Sequence, residues 1–243
     1  MEVTTNKIID IHNHTLPRVD DGAKTFEEAS NNLKYLASCG ITDVILTSHY
    51  IVNTKYQSEV SKREEILIEL KSQNPNINLY LGNELFVTDS ETILTLLKEN
   101  KITTLNSSRY LLIEFPRHQV INHADKIIAE LNDHGITPII AHPERYVDFY
   151  KNYNKLKELL EYDCLLQCNL GSISSQFGRH AKKLMKRLLK ENLVSFVATD
   201  FHHITDKQNL AKQLKKLYKF LGPDKYKQLL YDNPKKVINN EKI

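Results

Sequence analysis

The chain has 243 residues, 33 basic against 30 acidic, a formal charge of +3 and 41% hydrophobic residues. That length suits one barrel-sized domain with a sizeable core, and so small and dispersed a charge excludes any argument for nucleic acid from charge alone. Three cysteines, Cys39, Cys164 and Cys168, form no Cys-x-x-Cys pair, which argues against a disulfide framework or a thiolate zinc knot and fits a reducing compartment.

In chain order, Ile8 to Ile11 reads as a first strand and Phe26 to Cys39 as a first helix. Thr25 is placed to cap the amide of Glu28, whose carboxylate would reach back in a capping box. Gly40 follows this helix where a left-handed residue is needed. The second strand, Asp43 to Leu46, precedes a helix at Ser58 to Gln73, and the third, Ile77 to Leu81, precedes one at Glu91 to Asn100. Tyr110 to Ile113 leads to Val120 to His134, closed by Gly135, and Thr137 to Ala141 leads to Asn152 to Glu161. Cys164 to Cys168 is the sixth strand, its thiols behaving as small core hydrophobes, and precedes Gln176 to Glu191. Ser195 to Ala198 and Lys207 to Phe220 complete seven strand-helix units.

Apolar strands alternating with longer helical segments predict a parallel sheet wrapped by helices. No Pro/Gly/Ser-rich linker divides them, so one domain over residues 1–243 is expected. The opening MEVTTNKIID has no long apolar leader and no stretch reaches the length of a membrane span, so a cytoplasmic protein without membrane insertion is expected.

His12, His14, Asp21, His49, Glu84, Glu114, His142, Asp200 and His202 stand at or just beyond the ends of these apolar runs. Imidazole and carboxylate without thiolate are ligands for manganese, iron or zinc. His12 and His14, two apart on an extended segment, project to one side. Asp21 lies in the VDDGAK turn, which can fold back over the same mouth. Glu114 interrupts YLLIEF, where an unpaired carboxylate would cost several kcal/mol, so a cation is expected beside it. Six of seven strands carry such a residue, which favours a closed barrel over an open sheet, because a barrel lets most strand ends converge on one mouth. Tyr50 and Tyr146 are candidates for contact with a substrate ring, each equally readable as packing. Phe115 and Phe201 are expected behind the donors. The basic face Arg179, Lys183, Lys186, Arg187 and Lys190 reads first as a solvated helix surface.

The motifs HNH, VDDG, TSH, GNE, LIEF, AHPER and ATDFH, in that order, resemble the polymerase and histidinol phosphatase (PHP) family over Ile8 to DNPKKVI near the C-terminus. The likeness is greatest to its bacterial protein-tyrosine phosphatases of capsular and exopolysaccharide biosynthesis. It implies an α/β fold, a distorted seven-stranded (β/α)7 TIM-like barrel of the PHP type. It also implies three divalent metal ions, manganese first, with iron or zinc as alternatives. His12, His14, Glu84, Glu114 and His142 would surround two ions, Glu84 bridging them and Asp200 joining, while Asp21, His49, Asp200 and His202 would serve the third. Arg145 is the candidate phosphate clamp, with a salt bridge to Glu144 or Asp148 as its structural alternative. Lys207 stands where relatives place a second arginine, so a point charge replaces a planar fork.

The expected chemistry is attack on phosphotyrosine by a metal-bridging hydroxide. A cysteine route needs arginine six positions after the thiol, and Ile45, Leu170 and Ser174 stand there instead. The implied partner is a phosphotyrosine-bearing bacterial tyrosine kinase, met at the inner face of the cell membrane. The alternatives are a PHP-type phosphatase or phosphodiesterase for a small metabolite or nucleotide, and a noncatalytic module whose metals brace the fold. An amidohydrolase is disfavoured because Glu114 occupies the place of the bridging modified lysine.

Overall fold

A computed structural model describes residues 7–205 and 209–243. Seven parallel strands pair in chain order: β1 (Ile8–Asn13), β2 (Ile41–Tyr50), β3 (Asn78–Phe86), β4 (Tyr110–Glu114), β5 (Thr137–Ala141), β6 (Leu165–Asn169) and β7 (Phe196–Ala198). Helices α1 (Phe26–Ser38), α2 (Val60–Gln73), α3 (Ser90–Lys98), α4 (Ala124–Asp133), α5 (Val147–Lys151), α6 (Tyr153–Leu159), α7 (Gly178–Lys190) and α8 (Leu210–Leu221) follow the successive strands, two of them after β5. The result is the expected seven-stranded α/β barrel, nearly closed.

Both faces of each strand are buried, which is why the strands read as apolar runs rather than alternations. Val44, Leu46, Leu79, Ile113, Ile140, Leu166 and Val197 face the helix layer, whereas Ile9, Ile11, Ile45, Leu112, Ile139 and Phe196 fill the barrel. β2 and β3 run well past the expected ends at Leu46 and Leu81, so His49 and Glu84 lie within strands and pair with each other in register. Polar side chains hid this extension. Asn83 donates to Ser48 O at 3.0 Å and accepts from Thr103 N, while Thr47 Oγ1 accepts from Asn13 N. Thr25 caps Glu28 N as expected, but the Glu28 carboxylate accepts from Lys24 N at 2.7 Å, one residue beyond a strict capping box.

The seam between β7 and β1 is closed at the mouth. Asp200 N donates to His12 O at 2.9 Å and His14 N donates to Phe201 O at 2.8 Å. Beneath them the buried Asp10 carboxylate accepts from Thr199 N at 2.9 Å and from Asn13 Nδ2 at 3.0 Å. At the opposite end the C-terminal segment plugs the barrel. It winds through α9 (Pro223–Lys227), a π-helical turn at Gln228–Asp232 and α10 (Asn233–Ile238). Pro234 has no N–H to offer the preceding turn, which accounts for the change of winding there. Val237 enters the barrel core and Asn233 Nδ2 donates to Ser195 O at 2.8 Å. None of this plug, nor α5, was expected from periodicity.

Asp10→Ala should cost about 2 to 3 kcal/mol in urea unfolding, because it leaves buried donors of the seam without their charged acceptor. A loss under about 0.5 kcal/mol would show that other contacts hold the seam.

Candidate metal centre and mouth

Each strand delivers its donor by a local device. A register shift between Asp10 and Asn13 lets β1 bury Ile9 and Ile11 and then turn both His12 and His14 into the mouth; bulges re-aim side chains in this way. Glu84 and Glu114 continue the inward alternation of Tyr80 and Leu112. After Ala141 the next side chain would face outward, but His142 adopts a left-handed backbone, φ 34°, and turns inward. Asp200 is also left-handed, φ 52°. Such conformations in non-glycine residues persist only where surrounding contacts impose them.

All nine expected donors converge at the C-terminal ends of the strands. His12 Nε2 lies 3.2 Å from His14 Nε2, 3.2 Å from Glu84 Oε2 and 3.4 Å from Asp200 Oδ1. His14 Nε2 lies 3.3 Å from the same Glu84 oxygen and 3.4 Å from the same Asp200 oxygen. Asp21 Oδ1 stands 3.5 Å from both His49 Nε2 and His202 Nε2, and the His202 ring stacks on His14 with centroids 4.0 Å apart. His142 Nε2 lies 2.9 Å from Glu84 Oε1 and 3.6 Å from Glu114 Oε1. Three overlapping groups result: His12, His14, Glu84 and Asp200; His14, Asp21, His49 and His202; and His49, Glu84 and Glu114. The grouping differs from the division implied above: His14 also joins Asp21, His49 also joins Glu114, Asp200 is absent from the group around Asp21, and His142 belongs to none of the three.

The donor set fits divalent cations. Ligands about 2.0 to 2.2 Å from one ion lie roughly 3.0 to 3.4 Å from each other, the spacing found around Glu84. Glu84 Oε2 is buried without a hydrogen bond although His49 Nδ1 stands 3.0 Å away. Histidine ligands also tend to be fixed through their second nitrogen, and three of these are. His12 Nδ1 donates to Gln167 Oε1 at 2.8 Å, His14 Nδ1 to Asp20 Oδ2 at 2.8 Å, and His202 Nδ1 to Asp200 O at 3.0 Å. In each, Nε2 faces the cluster.

Protonation in the bare cluster reports its field. Burial opposes charge on His12, yet Glu84 and Asp200 outweigh it and raise the ring to about 9. Burial would raise Glu84, but His12 and His49 hold it well below the carboxylate range. Burial, with Glu84 beside it, pushes Glu114 up to about 7, while burial lowers His142 to about 4 and keeps that ring neutral. Protons thus partly balance the carboxylates, and metal binding must displace them.

The mouth is a cavity of about 330 Å³ lined by seven of these donors, all but the fully buried His12 and His14, and by Arg117, Arg145, Phe177 and His203. Arg145 Nη1 donates to Asp200 Oδ2 at 2.8 Å, rather than pairing with Glu144 or Asp148, and its guanidinium lies 4.3 Å over the Phe177 ring. Lys207 lies outside the described residues. Tyr50 is buried in the helix-facing core, and Tyr146 is buried with its hydroxyl accepting from Phe115 N at 3.0 Å. Both therefore pack and do not line the mouth. Phe115 and Phe201 are buried as expected, and Phe177 is the aromatic at the mouth.

Several residues here escaped the sequence reading. Gln167 and Asn169 alternate inward from β6, and Asn169 Nδ2 donates to Asp200 Oδ2 at 2.7 Å. Two polar residues spaced by two in CLLQCN were the available signal. Asp20, beside the expected Asp21, is buried and also accepts from His49 N and Gly22 N. Gly22 is required because an added Cβ would fall 1.7 Å from His14 O. His203 Nδ1 donates to Glu28 Oε1 at 2.8 Å, tying the site loop to α1.

A parallel α/β barrel carrying a buried imidazole and carboxylate cluster at its C-terminal mouth defines a protein whose side chains are grouped as metal ligands are. Residues 8–239 match the family model described as capsular polysaccharide synthesis, CpsB/CapC, and the chain belongs to that family. It is 36% identical over 240 residues to a putative tyrosine-protein phosphatase, CapC, of Staphylococcus aureus, covering 97% of this chain and 93% of that one. It is 32% identical over 246 residues to tyrosine-protein phosphatase CpsB of Streptococcus pneumoniae, covering 97% and 100%. The fold matches a crystal structure from the study of YwqE from Bacillus subtilis and CpsB from Streptococcus pneumoniae, described as unique metal-dependent tyrosine phosphatases. That match has a TM-score of 0.86, 28% identity and coverage of 97% and 96%. Among the described residues no helix is long and apolar enough to cross a membrane.

Gln167→Leu should weaken metal binding about 10- to 100-fold by freeing the His12 ring, as read by titration calorimetry. Unchanged affinity would show that Gln167 does not hold His12 in its binding orientation.

Proposed function

We propose that this protein is a metal-dependent tyrosine-protein phosphatase that removes phosphate from the tyrosines of a cognate bacterial tyrosine kinase governing capsular polysaccharide synthesis, acting in the cytoplasm. The observation that carries this reading is the convergence of His12, His14, Glu84 and Asp200 within 3.4 Å contacts beside a mouth that also presents Arg145 and Arg117. The family and its phosphatase relatives supply the substrate class and the capsular context.

In this reading His12, His14, Asp21, His49, Glu84, Glu114, His142, Asp200 and His202 hold the ions, three in number and manganese by preference. Bound there, divalent ions supply an acidified water for attack on phosphorus and positive charge for the equatorial oxygens. The chain's own residues do the rest. Glu84 reaches more than one donor group, so it ties the groups together. Gln167, Asp20 and the Asp200 carbonyl fix imidazole orientation. Arg145 spends one donor on Asp200 and keeps further N–H groups of its planar fork for phosphate oxygens. Phe177, beneath that guanidinium, brings an aromatic ring to the mouth for a tyrosyl ring to pack against; aromatic pairing of this kind adds about 0.5 to 1.5 kcal/mol beyond burial. Cys164 and Cys168 are buried, and burial pushes both thiols up, Cys164 to about 12, which suppresses the thiolate a cysteine route would need.

Exhaustive chelation should abolish hydrolysis of a phosphotyrosine peptide and readdition of manganese should restore it, whereas thiol alkylation should leave most of it. Full turnover by demetallated protein would refute the mechanism. His142→Ala should lower kcat roughly 100-fold or more with the unfolding transition retained. Undiminished turnover would favour a purely structural metal centre.

A further inference from the structure

Beside the mouth lies a second cavity, of about 510 Å³, that shares Arg117, Arg145 and Phe177 with the first. Because they share these residues the two cavities adjoin, so a polypeptide with its reacting group in the mouth can reach the second within a few residues. The floor is apolar and aromatic, with Tyr150 exposed and the His180 ring edge-on to it at 4.1 Å. The rim is cationic. Arg117 is about half exposed, and Lys151, at the end of α5, is exposed.

The acids nearby are already engaged. Glu144 is buried, and its Oε1 accepts from Asn169 N at 2.9 Å and Ser172 Oγ at 2.7 Å; burial also raises its pKa. Asp148 accepts from Lys155 Nζ at 2.7 Å and Ile121 N at 3.0 Å. Arg117 is partly paired with Glu114, whose Oε1 lies 3.5 Å from its Nε, so the exposed Lys151 carries most of the positive charge on the cavity rim.

We propose that this cavity is a subsite that receives the carboxylate side chain of an aspartate or glutamate lying a few residues from the phosphotyrosine in the substrate polypeptide. The proposal rests on the phosphatase reading and adds a rule for choosing among phosphotyrosines. An acidic side chain fits because its methylene stem lies on the aromatic floor while its carboxylate meets the rim. A lysine or arginine in the same place would face Arg117 and Lys151, a like-charge contact that discriminates as strongly as the attraction does.

The test compares three phosphotyrosine peptides that differ only in flanking Glu, Gln or Lys, together with an aryl phosphate that is too small to reach the cavity. Metal-loaded wild-type protein and Lys151→Glu are assayed in parallel. The Glu peptide should show a KM roughly fivefold below that of the Gln peptide, with the Lys peptide highest and kcat the same for all three. Lys151→Glu should erase or invert that order and leave aryl phosphate turnover unchanged. An order independent of flanking charge, or one that survives Lys151→Glu, would overturn the subsite. So would an equal loss on peptide and aryl phosphate. Failure of the metal-loaded wild type to hydrolyse even the aryl phosphate would instead overturn the phosphatase reading.

Discussion

Barrel closure and assembly of the donor cluster are one event. The two backbone hydrogen bonds that join the first strand to the segment after the last run between His12 and Asp200 and between His14 and Phe201. Three of those four residues, His12, His14 and Asp200, also send side chains into the cluster, and His14 belongs to two of its groups. β7 has only three residues, so the closing contact is carried by these bonds and the buried Asp10 beneath them rather than by a long ladder. A barrel that opened at this seam would part His12 and His14 from Asp200 by the same movement.

The cluster is costly without cations. Four carboxylates and five imidazoles share a volume in which most side chains are buried, and buried charge is tolerated only when paired and hydrogen-bonded. In the bare state histidine protonation supplies part of the pairing, which is why His12 is raised while Glu84 is lowered. Divalent ions would replace those protons, so cation binding and stability of the folded mouth are linked through the same groups. The hydrogen bonds that Gln167, Asp20 and the Asp200 carbonyl accept already hold three rings in the orientation a cation needs, which lowers the reorganisation that binding demands.

Around this negative centre the surface turns positive. Arg145 and Arg117 each touch a donor carboxylate, at 2.8 Å from Asp200 and 3.5 Å from Glu114, and also line the open cavity. The same guanidiniums therefore steady the donors and present cations outward. Phe177 supports one of them from below, so aromatic and cationic surfaces meet at the entrance. This combination suits a ligand that carries a phosphoryl group on an aromatic ring.

The sequence by itself determined the seven strands, one helix after each, and which nine imidazoles and carboxylates stand at the strand ends, because strands buried on both faces must be apolar and a polar residue at their ends stands out. It also determined that Glu114 needs company, since its run has no other polar residue. Only the tertiary structure decided what holds those donors in place. Gln167 and Asn169 sit on the one strand without a candidate ligand, and their role exists only because β6 lies beside β7 and across from β1. Asp20 and Asp21 are indistinguishable in VDDG until the turn folds and one is buried against His14 while the other faces His49 and His202. Tyr146 looked available beside Arg145 and proved to be core, whereas Phe177, far from any motif, reached the mouth. Local patterning encodes which side of its own strand or helix a residue faces; which distant residue waits on that side is settled when the chain closes on itself.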